Sequence, residues 1–270
     1  MGFAIGGLIQ ALFITLPIMA ALWFVSVRIK KASIVDPVWA GLIALLAIFF
    51  GTLGEGYEWR RFFVTVMGVF WGMRLGFFIL FKRVAGKGED PRYAELLNKW
   101  GEEKERKLLI FFLLQGAVAA LLSLPFIIAS HNVRPGLVFF EGLGFVLWVA
   151  AFAGESIADL QLENFKSNPE NKGKTCREGL WFYSRHPNYF FEFLIWCALF
   201  IYSLGSPFGI LVIACPALIL HFLFNVTGIP KAEEQAIRSR GDEYLRYQRS
   251  TNMFIPWFPR DEDPASASKA

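Results

Sequence analysis

Residues 3–27 read FAIGGLIQALFITLPIMAALWFVSV, 25 consecutive positions without a charged side chain. At about 1.5 Å per residue, a helix of this length crosses the roughly 30 Å hydrocarbon core of a bilayer. Arg28, Lys30 and Lys31 follow at once, where a cleavable signal peptide would carry small residues. The stretch therefore reads as a retained membrane span.

Six more apolar stretches follow it. They cover about 38–53, 62–81, 108–129, 137–157, 189–202 and 208–226. The second reaches full length when extended back to Ile34. The sixth is short, and Gly205-Ser206-Pro207 turns it tightly into the seventh, as in a helical hairpin. The composition agrees: 55% of the 270 residues are hydrophobic, above the roughly 45–50% of soluble domains. The 29 Phe and 9 Trp suit lipid-facing surfaces and interfacial belts. The expected fold is all-α and polytopic, with about seven transmembrane helices in one domain over residues 1–260 and a disordered tail at 261–270.

The basic residues are distributed unevenly. Arg28 to Lys31, the segments 82–107 and 158–187, and the C-terminal tail hold 23 of the 27 Lys and Arg. The opposite loops hold only Arg60, Arg61 and Arg134, and Arg74 lies inside the third span. The positive-inside rule puts the basic side in the cytoplasm, with the N-terminus outside and the C-terminus inside. The net charge of +4 is thus a topology signal and does not point to nucleic acid. Cys176, Cys197 and Cys215 have neither metal-ligand nor redox spacing, so no metal is expected. The partners expected are membrane lipids and a lipid-soluble substrate entering from the bilayer. No obligate protein partner is evident.

Polar residues concentrate between Glu155 and Glu192. Asp159 lies one helical turn beyond Glu155, and Lys166 two turns further, all on one face. Arg185, His186, Asn188, Tyr189 and Glu192 crowd the start of the sixth span, with Pro187 suited to a first turn. Free amides and the dipole at such a helix start suit an anion. Arg185 and His186 alone would pass for headgroup anchors. The whole set puts too many polar groups at membrane depth for anchoring.

These residues resemble a known group. Gly179-Leu180-Trp181, then Ser184-Arg185-His186-Pro187-Asn188-Tyr189 and Glu192, are similar to the C-terminal domain of the steroid 5α-reductases, and more closely to bacterial membrane proteins sharing that domain. Sterol reductases and isoprenylcysteine carboxyl methyltransferases carry a related Arg-His-Pro signature. Ile34 to Trp39, Trp71 to Leu75 and Gly88 to Tyr93 extend the resemblance over most of the chain. It implies a cytosol-facing NADPH pocket, mainly within 155–256, in a bacterial inner-membrane protein. Glu155, Asp159, Lys166, Asn188 and Glu192 match dinucleotide contacts. Arg185 and His186, with Tyr189 beside them, match the sterol-reductase and methyltransferase form. Glu233, Tyr244 and Tyr247 resemble the closing segment, read either as a surface helix or as a lid over the cofactor, helical from Lys231 to Arg249 with a break near Gly241.

Asp36 and Arg74 are candidates for the reaction centre, with Tyr93. Asp36 precedes Pro37 and reads equally as a helix N-cap. The resemblance matches it to the acid that helps polarise a substrate ketone. One departure stands out: steroid reductases carry a catalytic Tyr where this chain has Trp71, and an indole donates a hydrogen bond but no proton. Tyr93 and Tyr57 are the candidate substitutes. The expected activity is NADPH-dependent reduction of an unsaturated lipid or enone. The alternatives are an S-adenosylmethionine-dependent lipid methyltransferase and a non-catalytic lipid-binding protein.

Overall fold

The computed structural model describes residues 1–226 and 228–260. The tail expected at 261–270 lies outside the described residues. Among these, all regular structure is helical. The α-helices are α1 (Gly2–Ile29), α2 (Val35–Leu53), α3 (Glu58–Ile79), α4 (Pro91–Trp100), α5 (Lys104–Leu122), α6 (Leu124–Ser130), α7 (Phe139–Ser167), α8 (Leu180–Tyr183), α9 (Pro187–Ser203), α10 (Ala214–His221), α11 (Ile229–Arg240) and α12 (Asp242–Ser250).

Six helical stretches are long and apolar enough to cross a membrane: Gly2–Ile29, Ala32–Leu53, Glu58–Val84, Pro91–Ser130, Phe139–Ser167 and Gly209–Arg240, the last including residue 227, which is not described. In a bilayer every backbone polar group must be satisfied internally, and a continuous helix does this for its whole length. α9, expected as the sixth span, is an apolar helix of 17 residues. The seventh expected span is irregular: a 3₁₀ segment (Gly209–Ile213), then α10, then a π-helical segment (Phe222–Val226). The apolar character of that last run ends at Val226, and α11 and α12 are polar. The fourth expected span breaks at Ser123, whose side chain turns back to Ala120 O ahead of Pro125. The break near Gly241 is where expected, with that glycine at φ 55° between α11 and α12.

α7 is longer than expected. Its 29 residues extend about 43 Å, past the thickness of a hydrocarbon core. Asp159 and Lys166 therefore stand on a rigid helix that continues beyond the expected span end at 157.

The chain divides into two compact units. The first comprises residues 1–145 and 199–215. Its centre is the α2–α3 pair, packed through small residues. A Cβ on Gly72 would lie 2.6 Å from Ala40 O, and one on Gly68 would meet Ala47 Cβ and Phe126 at 2.6 Å. Such close approach gives helices in lipid their van der Waals contact. A second device is electrostatic. Arg60 and Glu141 are fully buried and ion-paired. Arg60 also donates to Asn132 O (2.7 Å), Arg134 O (2.8 Å) and Gly136 O (2.7 Å), while Glu141 accepts from Val138 N (2.8 Å). Arg60 is thus no exposed topology signal, as its loop position suggested, but the hub of a closed network.

The same unit folds its 80–90 segment onto the α1–α2 turn. Lys31 Nζ donates to Val84 O (2.7 Å) and Lys87 O (2.6 Å). The Glu89 carboxylate accepts from Ala32 N and from Ser33 N (3.1 Å). That closure fixes where α4 starts, and so where Tyr93 sits.

The second unit comprises residues 146–198 and 216 onward. In it a Cβ on Gly154 of α7 would strike the Phe191 ring at 2.4 Å, which sets the spacing of α7 and α9. α11 and α12 pack through Ala236, Tyr244 and Tyr247.

Candidate functional site

In the first unit two of the candidate residues, Asp36 and Tyr93, meet at the start of α4. Asp90 is the N-cap: its carboxylate accepts from Arg92 N (2.9 Å), and Pro91 opens the helix. The capping role expected as one reading of Asp36 falls here instead. Asp36 lies inside α2, where its side chain caps nothing. Its Oδ1 accepts from the Tyr93 hydroxyl at 2.5 Å, and its Oδ2 from Arg92 Nη2 at 3.3 Å. Arg92 bridges the two acids, also donating to Asp90 through Nε (3.0 Å) and Nη2 (2.9 Å). Burial raises the Asp90 pKa, but its bonds from Arg92 outweigh that and hold the carboxyl below the ordinary aspartate value. The Arg92 side chain is 40% exposed, whereas Tyr93 is buried against Phe111, ring centroids 6.1 Å apart. Trp71 is buried and edge-on to Trp39 at 6.3 Å. Arg74 stands half-buried on α3, three residues further on.

In the second unit Glu233 of α11 is the focus. Its Oε1 accepts from Arg185 Nε (2.6 Å), His186 Nε2 (3.3 Å) and the Tyr244 hydroxyl (3.5 Å), and its Oε2 from Gln248 Nε2 (3.0 Å). The His186 bond requires the tautomer with the proton on Nε2. Burial raises the Glu233 pKa, but His186 and Arg185 outweigh it and bring the carboxyl down to about 2. Burial, reinforced by the Glu233 charge, moves the Tyr244 phenol up to about 12. Arg185 also donates through Nη1 to Gln248 O (2.9 Å) and Thr251 O (2.7 Å). His186 stacks on Tyr189 at 5.5 Å and 7°. The Tyr247 hydroxyl donates to Trp181 O and to Ser184 O (3.1 Å).

Glu155 and Asp159 are both buried on α7, and Asn188 Nδ2 donates to Asp159 Oδ1 at 3.2 Å. Lys166 sits in the last turn of the same helix. Glu192 accepts from Trp196 Nε1 (2.9 Å), a contact one turn along α9. The sequence-selected residues thus form two groups here: Arg185, His186, Glu233 and Tyr244 around one carboxylate, and Asp159 with Asn188. No group of acids, histidines and cysteines arranged to hold a metal ion occurs among the described residues.

A family model described as "Protein of unknown function (DUF1295)" matches residues 22–251. The chain belongs to the DUF1295 family. That family is steroid 5α-reductase-like, in line with the resemblance carried by the motifs. The DUF1295 match contains both residue groups, from Asp36 to Gln248. A curated relative from Ustilaginoidea virens, described as "Probable O-methyltransferase ustE", is 32% identical over 115 residues, 42% of this chain. The matched part covers 38% of that relative's length. No solved structure matches the chain.

Two residues of these sites escaped the sequence reading. Gln248 binds Glu233 from α12, and only its spacing of four from Tyr244 on an amphipathic helix hints at a shared face. Glu89 adjoins the Asp90-Pro91 cap, and nothing local marks it as the ligand of two distant amides.

Proposed function

We propose that this DUF1295 protein is a membrane-embedded, NADPH-dependent reductase of an unsaturated, carbonyl-bearing lipid. The observation that carries the reading is the Tyr93–Asp36 hydrogen bond of 2.5 Å, backed by Arg92. Reduction of an enone needs a group that hydrogen-bonds the carbonyl oxygen and delivers a proton. Trp71 cannot deliver one, and Tyr93 can. Asp36 holds the phenol in position, the hydroxyl turns its single proton from Asp36 to the carbonyl oxygen when substrate is bound, Arg92 balances the Asp36 charge, and the reading adds Arg74 as a polarising cation. Phe111 and the neighbouring apolar side chains keep water from the phenol.

The donor set of the second unit fits a dinucleotide. Glu155 and Asp159 are buried carboxylates that accept from hydroxyl and amide hydrogens, and Asn188 offers both a donor and an acceptor. Bound NADPH supplies the hydride. On this reading Glu155, Asp159, Lys166, Asn188 and Glu192 hold the cofactor. Arg185, His186, Tyr189, Glu233, Tyr244 and Tyr247 form its wall, and the pocket opens to the cytoplasm of a bacterial inner-membrane protein.

The second reading is methyl transfer from S-adenosylmethionine to a lipid acid or hydroxyl. The printed description of the fungal relative favours it, and the same carboxylates suit an adenosine ribose. The deciding experiment is a thermal-shift titration of detergent-purified protein with NADPH, NADH and S-adenosylmethionine, with Asn188→Ala as control. Stabilisation grows with ligand concentration over Kd. A shift with NADPH that the variant loses supports the reductase. A shift with S-adenosylmethionine alone refutes it.

A further inference from the structure

The last described residues, Phe254-Ile255-Pro256-Trp257-Phe258-Pro259-Arg260, form no regular element, yet they are firmly held. Phe254 O accepts from Ser184 Oγ (2.8 Å), and Trp257 N donates to Tyr183 O (3.0 Å). The Phe254 ring packs on Phe190 (5.6 Å), Phe193 (6.0 Å) and Phe224 (5.1 Å). Phe190 and Phe193 belong to the first two turns of α9, and Phe224 to the end of the last apolar run. The segment therefore lies at the level where apolar helices begin and end.

Its outward side is apolar. Trp257 is 67% exposed, Phe258 72% and Ile255 62%, and Phe182 and Tyr183 of α8 extend the same patch through a Tyr183–Phe258 contact of 5.8 Å. Exposed apolar patches of this kind mark an interaction surface. Its Trp and Tyr rings carry a polar edge on an apolar body, the composition found at headgroup depth. Arg260 adds a cation at the edge. Through the Phe254 ring the segment adjoins the start of α9 and the end of the last apolar run.

We propose that Ile255, Trp257, Phe258, Phe182 and Tyr183 form an in-plane anchor buried in the headgroup layer of the bilayer, and that lipid is the occupant of this surface. The anchor is joined to the Glu233 cluster. Arg185 N donates to Asn252 O (2.8 Å) and Arg185 Nη1 to Thr251 O, only a few residues before Phe254. Lipid that holds the segment in place thereby holds the Arg185 carbonyl partners in place.

Site-directed spin labelling in lipid vesicles tests this. Cys197 is replaced by Ala, since the other two cysteines are buried. Labels are placed singly at Trp257→Cys and Phe258→Cys, with Ile9→Cys on the exposed face of α1 as the lipid standard and Lys172→Cys in the polar loop as the aqueous one. Collision rates with dissolved oxygen and with a water-soluble nickel chelate are then compared. The anchor predicts that both labels follow Ile9, accessible to oxygen and shielded from nickel. Labels that follow Lys172 overturn it. So do labels shielded from both reagents, which would mean a protein surface covers the patch. Two separate positions keep the result readable if one variant fails to fold.

Discussion

Glu233 Oε1 lies 2.6 Å from Arg185 Nε, joining the polar helix α11 to the Arg-His-Pro motif before α9. Both side chains are mostly buried, at 15% and 10% exposure. Glu233→Ala leaves the guanidinium without its counterion and strips acceptors from His186 and Gln248. The expected loss is about 2–4 kcal/mol, read as a lower Tm in detergent. Arg185→Lys should recover little, since an ammonium cannot reproduce the Nε and Nη1 geometry.

The same carboxylate gives a pH signature. Its folded pKa of about 2 lies below the ordinary glutamate value of 4.5, so the folded state favours the ionised form. Its stabilising contribution is fully present above about pH 4.5 and is lost as the pH falls towards 2. Tm measured from pH 6 down to 3 should fall less steeply in Glu233→Gln than in the wild type. Parallel curves would show that other groups govern the acid limb.

Tyr93→Phe removes one hydroxyl from a buried hydrogen bond. Stability should fall by about 1 kcal/mol. If Tyr93 is the proton donor, turnover should fall roughly 10²–10⁴-fold while NADPH binding is unchanged. A variant that keeps near-normal turnover would limit the Tyr93–Asp36 pair to fastening α4 onto α2.

Arg60 and Glu141 allow a sharper separation of charge from packing. Glu141→Gln should cost about 3–5 kcal/mol, because a buried guanidinium is left uncompensated. The double variant Arg60→Met, Glu141→Leu should be less destabilised than that single variant, because no buried charge remains. A double-mutant cycle on Tm gives the coupling directly.

Gly72 and Gly76 differ in what a methyl group would meet. On Gly72 it would lie 2.6 Å from Ala40 O, on Gly76 3.2 Å from Pro37 O. Gly72→Ala should therefore destabilise by about 1–3 kcal/mol, as overpacking does. Gly76→Ala should cost clearly less. Equal effects would mean that α2 shifts as a body.

The spans were legible because lipid imposes a length rule on uncharged runs, and 3–27 obeys it without interruption. The irregular path from Gly209 to Val226 was not, since 3₁₀ and π turns share the composition of an α-helix. The polar residues stand out as a set, because charge at membrane depth is conspicuous. Their pairing was not legible. Asp36 meets Tyr93 across 57 positions only because Glu89 and Lys31 fold the intervening segment, and no local pattern encodes that closure. Arg60 misled for a related reason: a basic residue near a span end looks the same in sequence whether it faces water or a carboxylate 81 positions away.

That separation also orders events during synthesis. Translation at about 5–20 residues per second delivers Glu141 roughly 4–16 s after Arg60. Throughout that interval the nascent chain carries a guanidinium at the start of α3 with no counterion of its own. Water, headgroups or the insertion machinery must solvate it until α7 emerges. The α2–α3 pair can dock early through its small residues, but the end near Arg60 is sealed only when the start of α7 arrives, which makes it a late step of assembly.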